Sequence, residues 1–193
     1  MEVRTLTGAP LEAALGDVAR LRIEVFRSYP YLYDGDLDYE TRYLGAYRSN
    51  DAAILVGAFD GATLVGASTG APLEQHADDF AAAFFGQDIP LNEIFYCAES
   101  VLLPAYRGQG IGHAFFDARE SHARTLGYGY SVFCSVIRPQ GHALRPPDYA
   151  PLDGFWRKRG YAPLPGAVAQ FGWKDLDQTV ETDHPLQFWI RAL

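Results

Sequence analysis

A mixed-sheet α/β domain with one parallel crossover at its centre is the fold class the sequence predicts. Three observations carry this reading. Two apolar runs, residues 53–59 and 63–70, flank Asp60-Gly61 and read as an antiparallel hairpin. Mid-chain, a strand, a glycine-rich turn, an amphipathic helix and a second strand follow one another, which is the order of a parallel crossover. Two late segments, residues 167–174 and 186–192, close the sheet as a further antiparallel pair.

Each element has its own local reason. Residues 11–29 form a helix, because Leu11, Leu15, Val18, Leu21 and Val25 recur at spacings of three and four. Pro30 ends it, since the ring removes a donor and disfavours helix at the residue before it. Residues 38–47 and 78–85 are expected as two short helices. The run 94–103 is a strand closed by Pro104, and 113–126 is a helix stopped by Gly127. Residues 131–137 are rich in β-branched and aromatic types and read as a strand. A Pro- and Gly-rich loop over 138–153 leads to a short helix at 154–159 and then to the closing pair.

The chain has 193 residues, room for one domain spanning 1–193. Sixteen Lys and Arg against twenty-four Asp and Glu leave a net charge of −8. That balance argues against binding a nucleic-acid backbone, where cationic side chains supply most of the affinity. The best apolar run, residues 52–59, is a strand's length and too short to cross a bilayer. Glu2, Arg4 and Glu12 interrupt the start of the chain, so no signal peptide and a cytoplasmic location are expected. Cys97 and Cys134 are expected as buried free thiols. No His–carboxylate pair has metal-ligand spacing, so no metal is expected.

The chemistry concentrates in Arg107-Gly108-Gln109-Gly110-Ile111-Gly112-His113. In the helix that follows, Ile111, Phe115, Ala118, His122 and Leu126 form the face expected to pack on the sheet. The turn therefore lies at a helix N-terminus, where unpaired N–H groups and the positive dipole end favour an anion. Glycines let a phosphate approach the backbone, and Arg107 adds a cation. A nucleoside-triphosphate loop would need Gly-Lys-Ser/Thr, but His113 follows Gly112. A dinucleotide fingerprint would need Gly or Ala at 113, and its turn belongs near the first strand.

This stretch resembles the signature of the GNAT superfamily of N-acetyltransferases, Arg/Gln-x-x-Gly-x-Gly/Ala after a strand, filled here by Arg107, Gly110 and Gly112. The preceding Val101-Leu102-Leu103-Pro104-Ala105-Tyr106 resembles the family's strand end, and Phe155-Trp156-Arg157-Lys158-Arg159-Gly160-Tyr161 its later Phe-Tyr-x-x-x-Gly-Phe piece. The resemblance implies a mostly antiparallel mixed sheet with a central parallel pair of splayed strands, flanked by helices. It implies acetyl-CoA as co-substrate, with Val101, Leu102 and Leu103 offering backbone to the pantetheine arm. Arg107, Gly108, Gln109, Gly110, Ile111, Gly112 and His113 would hold the pyrophosphate. The reaction implied is transfer of acetyl to a primary amine of a small molecule, with a homodimer allowed.

Glu99 is the base the resemblance suggests, acting directly or through water; the other reading is a structural carboxylate bonding the splayed strand. The family's usual acid, a tyrosine, is replaced by Trp156, an indole that cannot donate a proton usefully to a thiolate. Tyr149 is the nearest substitute. The family's frequent asparagine after the second splayed strand is also missing, with Gln140 close by. His113 reads as a phosphate neighbour or solvent-facing residue, His122 as a packed core residue and His142 as a loop residue. For the acceptor, Tyr31, Tyr33 and Asp34 stand in the acidic, tyrosine-rich segment 29–40, where carboxylates and ring faces suit an ammonium group. A solvated acidic loop over packed tyrosines is the other reading of that segment. A non-catalytic acyl-CoA-binding module and an unrelated phosphate-binding domain are the competing functions.

Overall fold

The computed structural model describes residues 1–48, 50–76 and 80–193. Seven strands form one sheet: β1 (Glu2–Leu6), β2 (Ile54–Asp60), β3 (Thr63–Pro72), β4 (Ile94–Leu102), β5 (Tyr130–Val136), β6 (Ala162–Trp173) and β7 (Thr182–Ala192). Their order across the sheet is β1-β2-β3-β4-β5-β7-β6, and every pairing is antiparallel except β4–β5. The helices are α1 (Gly8–Phe26), α2 (Leu37–Tyr43), α3 (Ile111–Thr125) and α4 (Asp153–Lys158). Helix α3 makes the crossover between the two parallel strands, as the sequence predicts.

Helices cover both faces of the sheet, which explains the unbroken burial of β2 and β3. On one face α1 contributes Leu11, Leu15, Val18 and Leu21 to a cluster with Leu55, Ala67 and Val101. Burying those four helix side chains supplies roughly 6–12 kcal/mol before entropy is charged against it. On the other face α3 sets Ile111, Phe115 and Phe116 against Val56, Val65 and Phe133.

Several boundaries move for identifiable reasons. Strand β1 was not expected from the sequence: four of its five residues are exposed, so an edge strand carries no apolar signal. Helix α1 begins at Gly8 because Pro10 falls in its first turn, where no N–H is needed. It ends at Phe26, short of Pro30. Asp36 caps α2 by accepting from the Tyr39 N–H at 2.8 Å, and a 3-10 turn at Leu44–Tyr47 completes the predicted second helix. Of the helix expected over 78–85, residues 78 and 79 lie outside the described residues, and Ala81–Phe84 is a 3-10 turn. Leu126, expected on the packed face of α3, is exposed past the helix end, whereas Arg119, Glu120 and Ala123 are buried on it. Both closing strands start earlier than expected, β6 with an irregularity between Pro163 and Val168.

Candidate active site

Strands β4 and β5 pair at only three positions, Ile94↔Tyr130, Phe95↔Ser131 and Tyr96↔Val132. Beyond Tyr96 they separate, while β4 continues to Leu102 and β5 to Val136. The turn that follows β4 is open. Gly108 and Gly110 have φ of +75° and +81°, a region side chains avoid, and a Cβ built on either would meet nothing within 4 Å. The first bonds of α3 run from His113 and Ala114 to the Gly110 carbonyl, so the N–H groups ahead of them have no partner within the helix. Arg107 donates through Nε to the Leu102 carbonyl at 3.2 Å, which ties the turn to the strand end. An exposed backbone cradle with a cation at its mouth fits a pyrophosphate.

A second feature lies on the α1 face, where the parallel strands part. A cavity of about 80 Å³ is lined by Ala98 and Glu99 of β4, Cys134 of β5, and side chains of α1, α2 and β6. A β-bulge makes this lining possible. Between the pairs Ser68↔Ser100 and Gly70↔Cys97, β3 spends one residue and β4 spends two, Ala98 and Glu99. Successive strand residues normally face opposite sides; the extra residue lets both point into the cavity. Buried Arg119 holds the bulge from the opposite face. Its Nη1 donates to the Thr69 and Glu99 carbonyls at 3.1 Å each, and Nη2 to Ser100 Oγ at 2.9 Å.

Glu99 is 3% exposed and fully engaged in position. Thr69 Oγ1 donates to its Oε1 at 2.6 Å, and Arg22 Nη1 to its Oε2 at 2.6 Å. Arg22 also donates through Nε to Glu40 Oε2, so one guanidinium bridges two buried carboxylates. Burial works against the Arg22 charge, but Glu99 and Glu40 outweigh it and keep the group protonated. Burial likewise keeps the phenols of Tyr31, Tyr43 and Tyr96 protonated, each raised above its ordinary value. Cys134, hydrogen-bonded to Tyr96 at 3.3 Å, has its thiol pushed up to about 11 by burial.

Comparison with known proteins decides what this arrangement belongs to. The model of the acetyltransferase (GNAT) family matches residues 18–145. The chain belongs to the GNAT acetyltransferase family. Solved structures agree in fold. A ribosomal-protein-alanine N-acetyltransferase from Brucella melitensis is 14% identical over 100% of both chains, with a TM-score of 0.63. A GCN5-related N-acetyltransferase from Kribbella flavida is 17% identical over 100% of this chain and 97% of its own, at 0.58. The protein yncA from Salmonella typhimurium, solved with its cofactor acetyl-CoA, is 10% identical over 99% of this chain and 94% of its own, at 0.60. No curated protein matches the sequence.

Within this acetyltransferase, the expected site residues divide. Val101, Leu102, Leu103 and the turn 107–113 lie together at the end of β4 and the start of α3. Glu99, Tyr31 and Tyr33 line the cavity. Asp34 does not: it points outward, pairing with Lys174 at 2.7 Å and Arg27 at 3.6 Å. Lys174 holds its carboxyl below the usual range. Tyr149 also stands outside the cavity lining, its ring 4.6 Å from that of Tyr29. Trp156 packs on Phe133 and Trp189. His122 packs on Phe95 with Nε2 3.0 Å from the Ala52 carbonyl, but it is half-buried at the edge of the core and not the fully packed core histidine expected. His113 is exposed and accepts at Nδ1 from Arg159 at 3.2 Å. Cys134 is only partly buried and lines the cavity, unlike the core thiol expected.

Arg22 and Thr69 were not anticipated, whereas Glu40 belongs to the acidic segment 29–40 expected at the acceptor site and does line the cavity. One signal was present for Arg22: it lies four residues after Val18, on the apolar stripe of α1, where a charge must find partners. Thr69 carries no comparable local sign.

Proposed function

We propose that this enzyme transfers acetyl from acetyl-CoA to a primary amine of a small molecule seated in the aromatic cavity. One observation carries the reading: the bulge in β4 presents Glu99 to a ring-lined cavity at the point where β4 and β5 part. When bound, acetyl-CoA would supply an activated acyl carbon: the amine's new C–N bond replaces the thioester C–S bond, and CoA leaves as a thiolate that takes a proton from solvent. The cradle at 107–113 and the free edge of β4 are the parts of this chain that would hold it. Glu99 then takes the proton an ammonium must lose, directly or through a water. Its position is secured by Thr69 and Arg22. A backbone N–H at the end of β4 would polarise the acyl carbonyl.

Thiol release from acetyl-CoA across a panel of small amines, short peptides and a protein substrate tests this. Turnover of small amines is expected; turnover confined to peptides or protein would overturn the small-molecule reading. The cradle has a separate test. Gly112 has an ordinary φ, and a Cβ there meets only Phe155 at 3.5 Å. An acid in the first turn of a helix favours the helix by about 0.3–1 kcal/mol. Gly112→Asp should therefore keep the fold yet weaken acetyl-CoA by tenfold or more, roughly 1.4 kcal/mol, in calorimetry. Undiminished affinity would move the pyrophosphate elsewhere.

A further inference from the structure

Resting on that proposed activity, we infer that Arg138 is a positioning residue for the acceptor. Its guanidinium holds the turn 30–33 in the conformation that brings Tyr31 and Tyr33 to the cavity, and so governs binding of the amine without affecting acetyl-CoA.

The turn is strained. Leu32 has a φ of +55°, in the left-handed region that residues with a Cβ avoid, and it is buried at 4% exposure. Such a conformation persists only where the surroundings over-determine it. Tyr31 and Tyr33 flank Leu32 in the chain and both line the cavity, so the strained residue stands between two rings of the proposed acceptor site. The local bonds run back towards α1: the Tyr31 and Leu32 N–H groups donate to the Ser28 carbonyl at 3.1 Å each, and the Tyr33 N–H to the Phe26 carbonyl at 2.9 Å. The carbonyls of Pro30 and Tyr31 are met from far along the chain.

Arg138 follows β5 and opens the Pro- and Gly-rich loop. Its Nε donates to the Pro30 carbonyl at 2.7 Å and its Nη2 to the Tyr31 carbonyl at 2.6 Å. The same guanidinium grips Asp175 with two bonds of 2.7 Å, Nη1 to Oδ2 and Nη2 to Oδ1. Both side chains are buried. Trp173 Nε1 adds donation to the Tyr31 carbonyl and to Asp175 Oδ1, at 3.0 Å each. Burial holds the His184 imidazole beside Asp175 below its ordinary range, so Arg138 is the cation that Asp175 meets. One planar fork thus joins the turn after α1, the end of β5 and the corner after β6. A buried ion pair by itself adds little net stability, because desolvation offsets the attraction. What this one supplies is placement, with carbonyls on one side and a carboxylate on the other at fixed spacing. Among the described residues the cavity lining includes Tyr31, Tyr33 and Trp173 but not Arg138, so Arg138 acts on the amine through them. Its named partners lie outside the turn 107–113, which insulates the cofactor.

Arg138→Lys is the first test. An ammonium can still meet Asp175, but it cannot span the carboxylate and two carbonyls as the fork does. With the best amine of the panel, KM for the amine should rise about tenfold or more, while acetyl-CoA affinity in calorimetry stays within about twofold. Lower stability with an unchanged amine KM would make Arg138 merely structural and overturn the inference, as would an equal loss of acetyl-CoA affinity. Hydrogen exchange on the wild type needs neither turnover nor a folded variant. The Tyr33, Asp34 and Leu176 N–H groups donate to the Phe26, Lys174 and Leu32 carbonyls at 2.9, 2.9 and 2.8 Å, and should be protected alongside the paired amides of β7. Exchange at the rate of an open loop would show that the turn is not held, and overturn the inference. In Arg138→Lys those three amides should exchange about tenfold faster or more, with β7 unchanged; unaltered protection there counts against Arg138. If the wild type turns over no amine, the acetyl-transfer reading fails by itself, and exchange still decides whether Arg138 holds the turn.

Discussion

Glu99→Gln should lower turnover of a good amine substrate by a hundredfold or more while acetyl-CoA binds as before. Loss of a positioned base costs about 10²–10⁴ in rate, so a hundredfold is the modest end, near 2.7 kcal/mol of barrier. The glutamine keeps an oxygen for the Thr69 hydroxyl, which donates to Glu99 at 2.6 Å, and removes only the charge and the basic site. It also turns an amide towards Arg22, which retains Glu40 as its ionic partner. Acetyl-CoA binding is insulated, because the cradle is built from the turn before α3 and not from this cavity. A merely structural carboxylate predicts something different: lower stability, but an unaltered pH profile in the folded fraction. Turnover and pH profile that both match the wild type would remove Glu99 from the chemistry.

The second large effect is on stability. Arg119 is 1% exposed and donates to the Thr69, Glu99 and Phe115 carbonyls and the Ser100 hydroxyl. Among the described residues its hydrogen bonds go to carbonyls and a hydroxyl, with no carboxylate in its set of ion pairs, and it lies 5.0 Å from the Phe116 ring. Arg119→Met fills much of the volume but takes the guanidinium donor from the buried Thr69 and Glu99 carbonyls, at about 1–3 kcal/mol each. A loss of about 2–6 kcal/mol in urea unfolding is expected, equivalent to a fall in Tm of about 4–24 °C for a chain of this size. The bulge should relax with it, so turnover per folded molecule falls as Glu99 loses its aim. A change under about 1 kcal/mol would mean the bulge holds its shape without the guanidinium.

Much of this molecule could be read from short stretches. The period of α1, the two apolar runs beside Asp60-Gly61, and the glycine turn between a strand and a helix are each encoded within about twenty residues. Backbone sterics suffice for the turn: positive φ at Gly108 and Gly110 is a property of those residues wherever the chain goes. The cradle residues follow, since they are consecutive. Where local reading failed, the missing information was not local. Strand β1 exists because β2 offers an edge, not because Glu2–Leu6 is apolar. Asp34 and Glu40 look alike in the sequence, two acids in one tyrosine-rich segment. Lys174, far along the chain, draws the first outward, and Arg22 of α1 draws the second in.

The family, the sheet with its single crossover, and the glycine turn proposed to hold phosphate therefore belong to the sequence, because each depends on neighbours along the chain. The proposed acceptor site belongs to the tertiary structure. Residues 22, 40, 69, 99 and 134 meet only after α1, α2, β3, β4 and β5 have packed, and their meeting turns three separate charges into one buried unit. Burial is what gives Glu40 and Glu99 their meaning, since a carboxylate in water needs no partner and a buried one does. A one-residue bulge in β4, invisible in composition or period, decides that Glu99 faces that unit and not the opposite side of the sheet.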